Sequence, residues 1–358
     1  MKIVLLTPSY YPNIGGVEVH IKEIAERLKK MVDLEIYALD HKIKSFQQTE
    51  INGVKIKRFA TRKLSNEIRI PSGEFSRALS NCDADIIHLH TFHSLLPYCT
   101  LNAKYNFEHK LVITPHYHGK GHSFLRSVLF KLYKPVLGKI SRKADKIICV
   151  STYEKSLILQ DFGVRNDNVV VIPNGISLEE YPVDRNTCRK ASKILSVGRL
   201  EKYKNFDKVI KALKLLENTD FTLSIVGDGP ERSSLMNIIR QLHLEHKVSL
   251  RSNLSREELL KEYVTSSIFI LPSRYEAYGI AVAEAQSLGL RTIVSNAAAL
   301  SEFVDGGYAQ GITLPVTPEK IAYKIIEASK GETTFNKFTP YSWDKAAQEL
   351  MQLYESLA

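Results

Sequence analysis

Glu276 and Glu284 lie eight positions apart in Leu271-Pro-Ser-Arg-Tyr-Glu-Ala-Tyr-Gly-Ile-Ala-Val-Ala-Glu-Ala. The residues before Pro272 read as a buried strand and Gly279 opens a helix, which puts Glu276 on the connecting loop and Glu284 inside the helix. Around Glu284 stand Ile280, Ala281, Val282, Ala283 and Ala285. A carboxylate in that company is costly to bury unless something donates hydrogen bonds to it, and a sugar or ribose diol would do so. A solvent-facing helical glutamate is the alternative. Upstream, Arg199 and Lys204 bracket a turn in Val197-Gly198-Arg-Leu-Glu-Lys-Tyr-Lys-Asn205. A guanidinium fork and an ammonium point charge at that spacing can converge on one diphosphate, or else both are solvated turn residues. Val226-Gly227-Asp228-Gly229-Pro230 is a third strand-to-helix junction. Its glycines permit close backbone approach and its amides can face an anion, although the same residues also make an ordinary tight turn.

These junctions need a scaffold, and short β-branched runs alternating with helical periods supply one. The pattern predicts strands at Ile3 to Thr7, Leu34 to Leu39, Val54 to Phe59, Asp85 to His90, Leu111 to Thr114, Lys146 to Val150 and Val169 to Ile172. Helices are expected from Val17 to Leu28, Gly73 to Asn81, Phe124 to Arg142 and Thr152 to Asp161. Pro173-Asn-Gly175 and the polar run from Glu179 to Lys193 interrupt the alternation. It resumes with strands at Ile194 to Gly198, Thr222 to Gly227, Lys247 to Arg251, Ile268 to Pro272 and Arg291 to Ser295. The helices between them run from Phe206 to Leu216, Pro230 to Leu242, Arg256 to Val264 and Gly279 to Leu288, and Ser255 with Glu258 forms a capping-box pair. The expected class is α/β, with two Rossmann-like doubly wound parallel-sheet domains facing a cleft. In such sheets ligands bind beyond the carboxyl ends of the strands.

The 358 residues suffice for two such domains, and 44% apolar with 25% charged residues excludes general disorder. The formal charge is +10, of which +8 falls in the first 185 residues. That half should meet something anionic. Cys82, Cys99, Cys149 and Cys188 form no C-x-x-C pair, which fits buried fillers in a reducing compartment. The opening apolar run is too short for a signal-peptide core, and no stretch approaches the ~18 to 20 uncharged apolar residues of a membrane span.

Taken together the motifs resemble the retaining nucleotide-sugar glycosyltransferases of the family 4 type, with the GT-B fold, over nearly the whole chain. Glu276 and Glu284 resemble the family's E-x7-E motif, and Gly198-Arg199-Leu200 with Lys204 its G-R-L…K segment. Val226 to Pro230 is similar to its V-G-x-G-P turn, Val171 to Ile176 to its I-P-N-G-I element, and Pro12 to His20 to its double-glycine loop. The resemblance implies domains at 1–178 (acceptor-binding) and 194–340 (donor-binding), a linker at 179–193, and a terminal helix at 341–358 that crosses back onto the first domain. It further implies that Arg199 and Lys204 hold the donor diphosphate, that Gly15, Gly16, Gly198 and Gly227 line the donor, and that backbone amides of Tyr278, Gly279 and Ile280 touch the phosphates or sugar. Glu284 would bind the ribose, Glu276 and His116 the hexose, and Ser252, Asn253 and Leu254 would lie near the base. Glu276, His116, Arg199 and Lys204 are the implied catalytic set. The reaction would move a hexose or N-acetylhexosamine from a UDP- or GDP-sugar to a glycan, lipid-linked saccharide or phospholipid, with no metal and no cofactor. Preorganised cations at the leaving diphosphate make a metal unnecessary.

The chain also departs from the family pattern. Asn296-Ala-Ala-Ala299 replaces paired glycines, Arg251-Ser252 replaces a glycine, and Ser177 stands where aspartate is common. Asp83-Ala-Asp85 imitates a D-x-D metal motif but precedes a strand instead of ending one. His88 and His90 share a strand face that could bind zinc, or could serve as neutral donors to sugar hydroxyls. Basic residues gather at Lys55 to Arg77 and at Lys120 to Lys146. The second cluster accompanies Phe124, Leu125, Val128, Leu129, Phe130, Leu132 and Tyr133, either as an interfacial helix on an anionic membrane or as a core-packed helix with a solvated face. The expected location is cytoplasmic, with peripheral contact at the inner face of the cell membrane in the first case. A nicotinamide dehydrogenase is disfavoured because no G-x-G-x-x-G follows Thr7, and no nucleic-acid motif accompanies the charge. A nucleotide-sugar epimerase of the same architecture and a non-enzymatic anion-binding protein remain as alternatives.

Overall fold

A computed structural model describes residues 1–13, 15–63, 69–104, 109–119, 124–177, 190–331 and 335–357, with the backbone alone for 63, 69, 103–104 and 124–129. Cys188, Lys120 and most of the expected linker fall outside the described residues. The chain forms two compact units. Unit 1 comprises Met1–Gly175 and Tyr341–Ala358, and unit 2 comprises Ile176–Pro340. The first division therefore comes just before the expected boundary at 178.

In unit 1 the order is β1 (Lys2–Thr7), α1 (Gly16–Leu28), β2 (Asp33–Asp40), β3 (Gln47–Ile51), β4 (Val54–Lys63), β5 (Arg69–Pro71) and α2 (Gly73–Ser80). It continues through β6 (Ile86–His90), α3 (Leu96–Lys104), β7 (Lys110–Thr114), α4 (Phe124–Lys143), β8 (Lys146–Cys149), α5 (Thr152–Phe162) and β9 (Val169–Val171). The strands lie in the order β3-β4-β2-β1-β6-β7-β8-β9, with β5 on β4; all pairs are parallel except β3 with β4 and β4 with β5. Central strands such as β1 and β6 bury nearly every residue, as expected where helices cover both faces.

Unit 2 runs β10 (Lys190–Val197), α6 (Phe206–Leu215), β11 (Thr222–Val226), α7 (Arg232–Gln241), β12 (Val248–Arg251), α8 (Arg256–Thr265) and β13 (Ser266–Leu271). It ends with α9 (Ile280–Ser287), β14 (Arg291–Ser295), α10 (Leu300–Asp305), β15 (Gln310–Ile312) and α11 (Pro318–Lys330). Its all-parallel order is β12-β11-β10-β13-β14-β15, so the winding reverses between β10 and β13. That reversal marks the ligand side of such a sheet. β10 begins at Lys190, not after 193, because Lys190 pairs with Ser266 before a register shift to Ile194. These lead-in residues are polar and partly exposed, so the apolar pattern misses them.

The chain then returns to unit 1 as α12 (Trp343–Glu355), capped by Ser342 Oγ, which accepts from Lys345 N at 3.1 Å. Trp343, Ala346, Ala347, Leu350 and Tyr354 are buried in a cluster with Ile21, Ile24 and Leu28 of α1. Arg27 Nε donates to Asp344 Oδ1 at 2.6 Å beside it. Gly175 sits against this turn so closely that a Cβ there would come 2.2 Å from Trp343 N.

Candidate active site

The reversal in unit 2 brings the loop after β10 against the loop after β13. Asn205, at φ 57°, caps α6 and its Nδ2 donates to Pro272 O at 2.7 Å, while Arg274 N donates to Tyr203 O at 2.9 Å. These two bonds hold Lys204 facing Glu276, and Lys204 Nζ donates to Glu276 Oε1. Lys204 is buried, with its ammonium 5.4 Å from the Tyr203 ring centroid. Burial alone would push the ammonium pKa down; the Glu276 carboxylate and the neighbouring Tyr203 outweigh it and raise it above the ordinary 10.5. Arg199 behaves differently. Its side chain is 68% exposed and its Nε lies 3.3 Å from Glu201 Oε1, so the structure pairs Lys204 with Glu276 and leaves Arg199 at the surface.

The glycines of the β11–α7 turn have a packing reason. A Cβ on Gly227 would come 2.0 Å from Gly198 O, and one on Gly229 2.6 Å from Leu200 O. Leu200 N donates to Asp228 O at 2.9 Å and Glu231 N to Leu200 O at 3.0 Å. The turn is therefore pressed against the Gly198–Leu200 backbone and fixes where Arg199 departs. Gly279, at φ 113°, begins α9, and a Cβ there would lie 2.9 Å from Leu300 Cδ2. Tyr278 and Ile280 beside it are half-buried. Ala298 holds φ 52° in the segment where the family has glycines. The left-handed backbone is thus kept without the residue that favours it.

Glu284 is buried, as its neighbours in the sequence suggested, yet protein groups already serve both of its oxygens. Arg256 Nη1 lies 2.5 Å from Oε1, and the Tyr263 hydroxyl donates to Oε2 at 2.8 Å. This corrects the expectation that a ribose diol is what makes its burial tolerable. Burial and the adjacent carboxylate hold the Tyr263 hydroxyl protonated, well above its ordinary pKa of 10.0. Arg256 and Tyr263 escaped the sequence reading. Their only signal was the capping box of α8, which is present and places Arg256 at the helix start. Ser252, Asn253 and Leu254 form the loop after β12, with Asn253 exposed at φ 55° and Leu254 packed on the core. Arg251 Nη1 is bound 2.5 Å from Glu262 Oε1.

In unit 1, Gly15 caps α1, and among the described residues beyond its chain neighbours and its own helix backbone no heavy atom lies within 4 Å of where a Gly16 Cβ would point. His116 is buried at φ 47°, next to the rings of His20 at 4.9 Å and His90 at 5.9 Å. Desolvation lowers the pKa of His20 to about 4 and holds His88, His90 and His116 well below 6.5. The alternative of a zinc-binding His88–His90 pair is not realised, since His88 Nδ1 meets the Tyr354 hydroxyl at 2.6 Å and Nε2 meets Thr114 Oγ1 at 2.8 Å. Asp83 and Asp85 both engage Lys2, the latter accepting from its backbone N at 2.6 Å. That use is structural and at the amino end of β6.

Two family descriptions cover the chain in succession. Residues 14–180 match Glycosyltransferase Family 4 and residues 179–347 match Glycosyl transferases group 1. The chain is a family 4 type glycosyltransferase. An uncharacterised glycosyltransferase of Methanocaldococcus jannaschii is 26% identical over 99% of this chain and 98% of its own. The glycogen synthase of Mycobacterium tuberculosis is 27% identical over 62% of this chain and 55% of its own. Among solved structures, sucrose-phosphate synthase from Thermosynechococcus elongatus superposes with a TM-score of 0.77 at 17% identity, covering 100% and 99% of the two chains. Anabaena HepE in complex with UDP and glucose gives 0.78 at 17% identity over 99% and 100%. The glycosyltransferase therefore has the GT-B fold.

Proposed function

We propose that this glycosyltransferase moves a hexose or N-acetylhexosamine, with retention, from a UDP- or GDP-sugar to a hydroxyl of a glycan, lipid-linked saccharide or phospholipid. The pair of buried Lys204 with half-buried Glu276, on the loops beyond the carboxyl ends of β10 and β13, carries the reading. A cation held in a low-dielectric site stabilises charge that develops on a leaving diphosphate far better than a solvated one does. The donor diphosphate would compete with Glu276 for Lys204, and the exposed Arg199 would close on it as a second cation. Gly198 and Gly227 set the backbone that carries Arg199. Amides at Tyr278, Gly279 and Ile280, where the chain enters α9, would meet the same phosphates. Glu284 has lone pairs beyond the two that Arg256 and Tyr263 engage, and these would accept from the ribose.

In the transfer, the anomeric C–O bond breaks with its electron pair passing to the diphosphate. The acceptor oxygen attacks on the face being vacated and gives its proton to a departing phosphate oxygen. Glu276, engaged by Lys204, acts by position and charge and forms no covalent glycosyl adduct. The diphosphate step needs no metal or cofactor in this scheme, and unit 1, with Gly15, Gly16 and His116, serves the sugar and acceptor. HepE binding UDP and glucose supports a UDP-sugar as one donor class. We place the enzyme in the cytoplasm, with α4 as its contact to anionic membrane. Leu132 is 74% exposed there, although Phe130, Leu137 and Ile140 pack inward.

Binding should be measured across UDP-, GDP- and ADP-sugars with wild type and Glu284→Ala, and the product anomer read by NMR. One nucleotide class should bind at least about tenfold better than the others, Glu284→Ala should weaken it by a similar factor, about 1.4 kcal/mol, and the anomeric configuration should be kept. Unchanged binding by Glu284→Ala sinks the ribose role, an inverted product sinks retention, and donor turnover without acceptor would favour the epimerase.

A further inference from the structure

His116, assigned above to the sugar, also belongs to a buried cluster of imidazoles. His20 projects from α1, His90 ends β6, and His116 follows β7. One ring nitrogen from each lies within 4.8 Å of the others, and all three side chains are buried. Buried polar atoms are nearly always hydrogen-bonded. Among the described residues, neither ring nitrogen of His90 nor Nε2 of His116 has a hydrogen-bond partner. His20 is instead oriented from behind: its Nδ1 meets Asn174 Oδ1 at 2.7 Å. That oxygen only accepts, so Nδ1 carries the proton and Nε2 carries the free lone pair. An outer partner of this kind fixes the tautomer and ring direction of metal-binding histidines.

We propose that His20, His90 and His116 form a three-histidine site for a divalent first-row transition ion, with Zn2+ as its reference occupant. Imidazole nitrogens suit zinc, whereas magnesium and calcium demand oxygen ligands. Zinc–nitrogen bonds of about 2.0–2.1 Å at tetrahedral angles put donors about 3.3 Å apart, so binding draws the rings together by up to about 1.5 Å. A bound ion ties α1 to the end of β6 and the segment after β7, and three protein ligands leave a fourth position open. His88, with both nitrogens already engaged, is not a ligand.

The test uses the full-length protein stripped with chelator, returned to chelator-free buffer and titrated with Co2+ and then Zn2+. One equivalent of Co2+ should give visible d–d absorption that Zn2+ abolishes, and Zn2+ should raise the thermal midpoint. His20→Gln, His90→Gln and His116→Gln should each weaken Zn2+ binding at least about 100-fold. Asn174→Ala should weaken it about tenfold through loss of the outer partner. His243→Gln, at an exposed position in unit 2, should bind as wild type does. Circular dichroism of each variant without metal checks its fold. Failure of the folded wild type to bind either ion at micromolar concentration overturns the proposal, as does undiminished binding by all three histidine variants.

Discussion

At the scale of single residues, the unexpected finding concerns which groups meet the Glu284 carboxyl inside α9. The sequence places it among alanines and valines, from which a need for hydrogen-bond donors follows, but not which groups provide them. Arg256 and Tyr263 do so from α8, a helix whose position relative to α9 is set only by the sheet. Long-range partners of this kind are invisible to local spacing, whereas Glu276 and Glu284 themselves stand out because a motif lies along the chain. Tyr263→Phe removes one donor without opening a cavity. The remaining cost is a buried carboxylate oxygen with less support, about 1–3 kcal/mol of stability. Urea unfolding of Tyr263→Phe should show that loss, and donor affinity should fall with it, since the carboxylate loses the group that holds Oε2 in place. A variant as stable as wild type that binds donor equally well would separate Tyr263 from the site.

At the scale of elements, most strands of both sheets were legible because parallel strands covered on both faces become continuous apolar runs, whereas β5 and β15, three residues each, were too short to show a period. Their ends agree within a residue or two for β1, β7, β11 and β14. β3, Gln47–Ile51, went unread because it is an edge strand of polar, mostly exposed residues. α11 buries Ile321, Ala322, Ile325 and Ala328 at helical spacing and was legible in principle. The loops at the strand ends carry conformations that residue type only partly announces. Gly227 marks one: its substitution by Ala would drive a Cβ to 2.0 Å from Gly198 O, so the Arg199 loop must move. Ala298 marks the converse, a non-glycine held at φ 52°. Ala298→Gly should relieve strain of the order of 1 kcal/mol, and Gly227→Ala should cost at least as much while lowering transfer more than stability alone explains. Thermal unfolding of both variants, with activity measured well below their midpoints, checks the two signs. A destabilised Ala298→Gly would mean that the side chain contributes packing worth more than the strained backbone.

At the scale of the whole molecule, unit 1 and unit 2 close around separate cores, and the chain's single tryptophan, Trp343, is buried in unit 1. Its fluorescence therefore follows unit 1 while circular dichroism follows both. Unit 1 also contains buried groups displaced within or through the range pH 4 to 8. In its native state His20 stays neutral down to about pH 4, whereas unfolded it takes a proton near 6.5, so its contribution is lost as pH falls through that interval. The loss is on the order of 3 kcal/mol, and His88, His90 and His116 are displaced in the same direction. Glu154 acts oppositely. Fully buried, it is pushed from 4.5 to about 8 by desolvation, against the support of the Tyr117 and Val150 backbone amides. The native state holds that proton where the unfolded chain has released it, so stability declines as pH rises toward 8. Below about pH 7 the four imidazoles outweigh the one carboxyl, and above it the carboxyl dominates the change up to pH 8. Urea unfolding followed by Trp343 fluorescence, with chelator present, should therefore give a stability maximum near pH 7. Replacing Glu154 with Gln should flatten the alkaline side and leave the acid side steep. A profile flat from pH 4 to 8 would mean that water reaches these groups and that the interior of unit 1 is less closed than its packing implies.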